Sequence, residues 1–162
     1  MKRDRAACIA GFTLIELVVT IAILGLLATV AVPFAQLVQQ RAQEAELRED
    51  LKKMRLAIDA YKQAVLEKRI ASPADASGYP PNLDVLWQGV VDITRPDNRK
   101  IYFLRRLPRD PFFPDTSAEP AATWGKRSYI SPPDDPQEGA DVYDVYSLSA
   151  KTGLNGVPYR EW

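Results

Sequence analysis

Only one stretch of this 162-residue sequence places a charged group where its surroundings would change its behaviour. It is Gly11-Phe12-Thr13-Leu14-Ile15-Glu16-Leu17, with the apolar run that continues to Val32. Phe12 to Val32 is 21 residues with one charge, Glu16. A charge at the centre of a membrane segment costs about 3 kcal/mol on insertion scales, and less near an end. A polar leader, Met1–Gly11, precedes the run and carries Lys2, Arg3 and Arg5 against Asp4. A secretory signal peptide puts its small-residue cleavage site after the apolar region; here Gly11 comes before it. Cleavage after Gly11 would remove the basic leader, keep the apolar helix and expose a new α-amine on Phe12. That amine, on the same chain or on a neighbour, can pair with Glu16. A lone glutamate near a membrane interface is more often a tolerated charge, and the residues by themselves leave both readings open.

The rest of the chain is poor in reactive groups. There is no histidine, and the one cysteine, Cys8, lies in the leader. The commonest general base, the commonest zinc ligands and a thiol nucleophile are therefore missing from a processed chain. Cys8 precedes the apolar run and follows Arg5 by three residues, unlike a lipoprotein cysteine. Asp134, Asp135, Glu138, Asp141 and Asp144 form an acidic stretch without EF-hand spacing, which reads as a solvated loop. Gly153 and Gly156 fit a turn better than a phosphate loop. Lys+Arg and Asp+Glu balance at 21 each, so no basic field draws nucleic acid. The basic-aromatic run Tyr102-Phe103-Leu104-Arg105-Arg106 reads as a half-buried strand with solvated arginines. Neither an enzyme nor a nucleic-acid partner is expected.

The positioning elements follow from spacing. The apolar run spans roughly 30 Å as a helix, the thickness of a bilayer's hydrocarbon core. The basic leader keeps the N-terminus cytoplasmic and sends the remainder across. Pro33 predicts an interrupted or bent helix, because proline removes one helical hydrogen bond and clashes with the preceding turn. Leu47, Leu51, Met54, Ile58, Tyr61 and Val65 then recur at alternating spacings of four and three, one face of a continuing helix to about Arg69. Glu44, Glu46, Arg48, Glu49, Asp50, Lys52, Lys53 and Arg55 lie between them, several spaced for weak ion pairing.

Beyond Arg69 lie all the prolines except Pro33. Asn82–Gly89 reads as a short helix with Asn82 as N-cap and Gly89 as stop. Lys100–Leu107 is a short apolar run, strand or helix. Trp124–Ser131, Val142–Leu148 and, more weakly, Val157–Trp162 read as strands of an antiparallel meander. The expected fold is α+β: a long N-terminal helix with a small antiparallel sheet packed on its C-terminal half. The divisions are 1–11 leader, 12–33 membrane or filament-core helix, 34–69 amphipathic continuation and 70–162 globular region. A globular part this small is marginal alone and needs the helix face for its core.

GFTLIELVVTIAILGLLATVAVP resembles the N-terminal signature of type IV pilins and type II secretion pseudopilins. The resemblance implies that a prepilin peptidase cuts between Gly11 and Phe12 and N-methylates Phe12. It implies that Glu16 is needed for entry into a filament, and it extends to Pro33. YPPNLDVL, YFLRRLPRDPF, WGKRSYISPP and DVYDVYSLS resemble the major pseudopilin family of type II secretion. Ordinary type IV pilins usually carry a C-terminal disulfide loop, which this chain cannot form.

The implied function is a structural subunit anchored once in a bacterial inner membrane, with its C-terminal domain periplasmic. Such subunits polymerise into a periplasmic pseudopilus that drives export of folded proteins. Implied partners are other copies of the chain, minor pseudopilins, the prepilin peptidase, the inner-membrane assembly platform and membrane lipid. The family carries calcium in the loop after the strand matching Val142–Leu148. Its first acidic ligand falls near Lys151 here, and Thr152 to Pro158 hold no carboxylate. The family's calcium site is therefore expected to be lost, leaving no cofactor. Two alternatives share the anchor: a minor pilin, type IV pilus or DNA-uptake pseudopilin subunit, and a periplasmic binding domain that never polymerises.

Overall fold

The computed structural model describes residues 12–73 and 75–162. Gly11 and the rest of the leader lie outside them. The chain forms two compact units, residues up to Gln40 and Arg41–Trp162. Helix α1 runs Leu14–Leu66, and its assignment passes through Pro33 without a break, so the helix is not interrupted there.

In the first unit α1 is apolar around its whole circumference. Residues 12–36 are all exposed, including Ile15, Leu24, Leu27 and Phe34. The two threonines turn their hydroxyls inward. Thr20 Oγ1 donates to the Leu17 carbonyl at 2.8 Å and Thr29 Oγ1 to the Leu26 carbonyl at 2.7 Å. Each hydroxyl is thus satisfied within the helix and needs no water. This stretch is long and apolar enough to cross a membrane.

In the second unit the four-and-three stripe is the core. Leu47, Leu51, Met54, Ile58 and Tyr61 are buried, with Ala57 and Ala64 filling the stripe, while Val65 packs at its edge. Glu44–Arg48, Glu49–Lys53 and Asp50–Lys53 pair along the helix at 3.9, 2.9 and 3.3 Å. The helix ends without glycine. Lys68 takes the left-handed conformation (φ 57°), its amide donates to the Val65 carbonyl and the Arg69 amide to the Ala64 carbonyl. Those two bonds satisfy carbonyls that a helix end otherwise leaves open.

Helix α2, Asp84–Gln88, follows. Asn82 Oδ1 accepts from the Val85 amide at 3.2 Å, so Asn82 does the capping although Leu83 is the boundary residue. Gly89, at φ 78°, ends the helix in a conformation only glycine adopts freely. Strands β1 (Val90–Val91) and β2 (Lys100–Ile101) form one antiparallel pair. Strands β3 (Trp124–Arg127) and β4 (Asp144–Ser147) form a second, with Trp124 opposite Ser147 and Arg127 opposite Asp144. Gly125 faces the Tyr146 ring, where an added Cβ would lie 2.3 Å from a ring carbon.

The structure corrects the expectation in three places. The sheets are two separate pairs rather than one meander. Val157–Trp162 is not a strand; Tyr159–Glu161 is a 3₁₀ turn, preceded by an isolated bridge between Thr152 and Pro158. Lys100–Leu107 is strand only over its first two residues, because the amides of Phe103 and Leu104 both turn to the Leu86 carbonyl.

Candidate functional site

The N-terminal site is built at the entry to α1. Thr13 caps the helix: its Oγ1 accepts from the Glu16 amide at 3.3 Å and its carbonyl from the Leu17 amide at 3.2 Å. Thr13-Leu14-Ile15-Glu16 has the spacing of a capping box, which puts a carboxylate at the positive end of the helix dipole. Phe12 lies just outside the helix and is 79% exposed. Glu16 follows Phe12 by four residues, with Thr13 as the cap between Phe12 and the first turn of α1. Glu16 is the one ionisable side chain between Phe12 and Gln40. Phe12, just before α1, and Glu16 and Pro33 within it are all exposed. The Gly11 side of the expected cleavage site lies outside the described residues.

A second constellation ties α1 to the end of the chain, within the second unit. Glu44 is 4% exposed, and its Oε1 accepts from the Leu154 amide at 2.8 Å and from the Tyr159 hydroxyl at 2.9 Å. Arg55 Nε donates to Asp144 Oδ1 at 2.8 Å, while its Nη2 reaches the carbonyls of Val145 and Trp162 at 3.2 and 2.7 Å. Arg48 lies over the Trp162 ring, 4.3 Å from its centre. Tyr159 is sandwiched by Phe112, stacked at 4.1 Å, and Trp162, edge-on at 4.9 Å. Another buried carboxylate, Asp92, is held by Arg69 Nη2 at 3.0 Å and by the hydroxyl and amide of Thr94. The Thr94 hydroxyl, more than the Arg69 guanidinium, pulls the Asp92 carboxyl below its usual range.

The sequence places Glu44 and Asp50 among the charges that flank the stripe, spaced for weak ion pairing, yet both are buried. The signal was present for Glu44. It lies three residues before Leu47 and so extends the buried stripe by one step. Arg48 and Arg55 gave no such signal, since their partners are some ninety or more residues away, as with Arg55 and Val145.

Comparison with known proteins joins these two regions. The prokaryotic N-terminal methylation motif matches residues 7–32, which include Gly11, Phe12 and Glu16. The type II secretion system core protein G of Vibrio cholerae is 30% identical over 154 residues, covering 93% of this chain and 85% of the relative.

The chain belongs to the type II secretion system core protein G family.

Core protein G of Klebsiella pneumoniae is 30% identical over 162 residues, covering 98% of this chain and 90% of the relative. That of Pseudomonas aeruginosa is 30% identical over 143 residues, covering 87% and 83%. No solved structure matches the chain. The likeness to core protein G thus spans the globular region as well as the helix, whereas the methylation motif covers residues 7–32 alone. The family is that of the major pseudopilins, whose expected marks are a long N-terminal helix and small antiparallel sheets.

Proposed function

We propose that the chain is the structural subunit of a type II secretion pseudopilus. Cleavage after Gly11 and N-methylation leave a mature chain that begins at Phe12. The segment 12–33 holds that chain in the bacterial inner membrane, with the globular region periplasmic. The observation that carries the reading is the apolar surface of residues 12–35, exposed all round and bearing Glu16 four residues after Phe12. In the membrane, lipid covers that surface. In a filament, other copies cover it, and the apolar helices form the centre.

Within such a centre an unpaired ion is strongly destabilising, whereas a paired one is tolerated. Glu16 meeting the Phe12 amine of a neighbouring copy satisfies both charges at one axial level. The charge pair then sets register while apolar packing gives strength. The subunit carries out no chemistry itself. Its partners are its own copies, minor pseudopilins, the prepilin peptidase and the inner-membrane assembly platform, and its filament moves folded proteins outward.

Intact-mass analysis of the protein made together with a prepilin peptidase tests the processing step. The expected species begins at Phe12 and carries one methyl group on its α-amine. A chain retaining Met1–Gly11 under those conditions contradicts the reading and points to a non-polymerising anchored domain.

A further inference from the structure

We propose that in this chain the carboxylate of Glu44 does the work that a bound calcium ion is expected to do in the family. It fixes the loop of residues 149–158, and the folded domain neither requires nor binds calcium there.

The donor chemistry of the loop carries the argument. A calcium site needs six to eight oxygens turned toward one point, usually including carboxylates. The groups that the loop and the 3₁₀ turn after it present to α1 here are hydrogen-bond donors. The Leu154 amide and the Tyr159 hydroxyl converge on Glu44 Oε1. That arrangement is a receptor for an anion, and the anion arrives from α1, 110 residues earlier in the chain.

Several of the loop's own oxygens are engaged within it. The Lys151 carbonyl accepts from the Tyr159 amide, Gly153 from Gly156, and Val157 from both the Gly153 amide and Trp162 Nε1. Asn155 Oδ1 accepts from the Val157 amide and Ser149 Oγ from the Lys151 amide. The loop therefore closes on itself through backbone bonds and presents its leftover donors to Glu44.

The position of the expected first acidic ligand is held by Lys151, whose ammonium opposes a cation. Gly153 completes the fit. It lies under the Trp162 ring, where an added Cβ would sit 2.4 Å from a ring carbon. The ring that covers it is held in turn by Arg48. One buried carboxylate thus locks loop, terminal 3₁₀ turn and helix together. The clasp acts within a single subunit and is independent of filament assembly.

The test uses the full-length chain in detergent micelles. Its melting temperature is expected to be the same in EGTA and in millimolar calcium. Trypsin reads the loop directly, because Lys151 lies within it. Glu44→Gln is expected to speed cleavage after Lys151 by about tenfold or more, the effect of losing charge-assisted bonds, while cleavage after Arg99 in the β1–β2 loop is unchanged. Tyr159→Phe removes one of the two bonds and keeps the ring. It is expected to speed the same cleavage by a smaller factor, and it carries the test if Glu44→Gln does not fold. A melting temperature that rises with calcium or falls in EGTA overturns the proposal. So does an unchanged Lys151 cleavage rate in Tyr159→Phe.

Discussion

Glu16→Ala leaves the chain inserted in the membrane and lowers the yield of filaments by about a hundredfold or more. The two effects separate because they depend on different terms. Insertion is favoured by the apolar run, and removing a carboxylate from that run lowers its cost. In the proposed filament the Phe12 ammonium of each copy enters an apolar bundle, and the variant leaves that ammonium without a counter-charge. Breaking a buried pair by deleting one partner costs about 3–5 kcal/mol, which is roughly two to almost four decades in the equilibrium for adding each subunit. Membrane fractionation measures the first quantity and the sheared or pelleted filament fraction the second. Filaments at normal yield from this variant would sink the charge-pair mechanism even if the family assignment stands.

The second large effect concerns the globular region. A fragment of residues 70–162 is expected to show no cooperative thermal transition. Helix α1 contributes seven of the fifteen buried apolar residues of the core, and five of them are large: Leu47, Leu51, Met54, Ile58 and Tyr61. At about 1.5–3 kcal/mol for each large side chain, their removal forfeits about 10 kcal/mol, comparable with the whole stability of an ordinary domain. It also strips the partners from Leu83, Leu86, Val145 and Tyr159, which belong to the same cluster. The partly buried contacts of Arg55 to Asp144 and Trp162 disappear with it. Circular dichroism against temperature decides the point; a sharp melt of 70–162 alone would show that the helix is an attachment rather than half of the core.

Most of the architecture was legible because its signals are periodic or positional. The stripe from Leu47 to Tyr61 announced both the helix and its buried face, and the structure buries those five large residues. Asn82 and Gly89 marked the ends of α2 through a side-chain acceptor and a positive φ, effects that act within a few residues. The strand runs around Trp124 and Val145 were legible for the same local reason.

What failed depends on partners distant in sequence. Val157–Trp162 has strand-like residue types, but Pro158 and the stacking of Tyr159 between Phe112 and Trp162 wind it into a 3₁₀ turn. The β1 strand is only two residues long, too short for alternation to show. Glu44 reads as a helix charge flanking the stripe until its hydrogen bonds to Leu154 and Tyr159 are seen. The N-terminal site was the easiest to read, because a single carboxylate in a long apolar run stands out without any knowledge of the fold.

The central claim is a contact between copies: the Phe12 amine of one chain against the Glu16 carboxylate of another. A density map of the assembled filament at side-chain resolution tests it most directly. The account predicts every Glu16 carboxylate within ion-pairing distance of a neighbour's methylated Phe12 nitrogen, with the helices around residues 12–33 packed at the filament centre. A map in which Glu16 faces lipid or solvent, with the Phe12 nitrogen paired elsewhere, contradicts it.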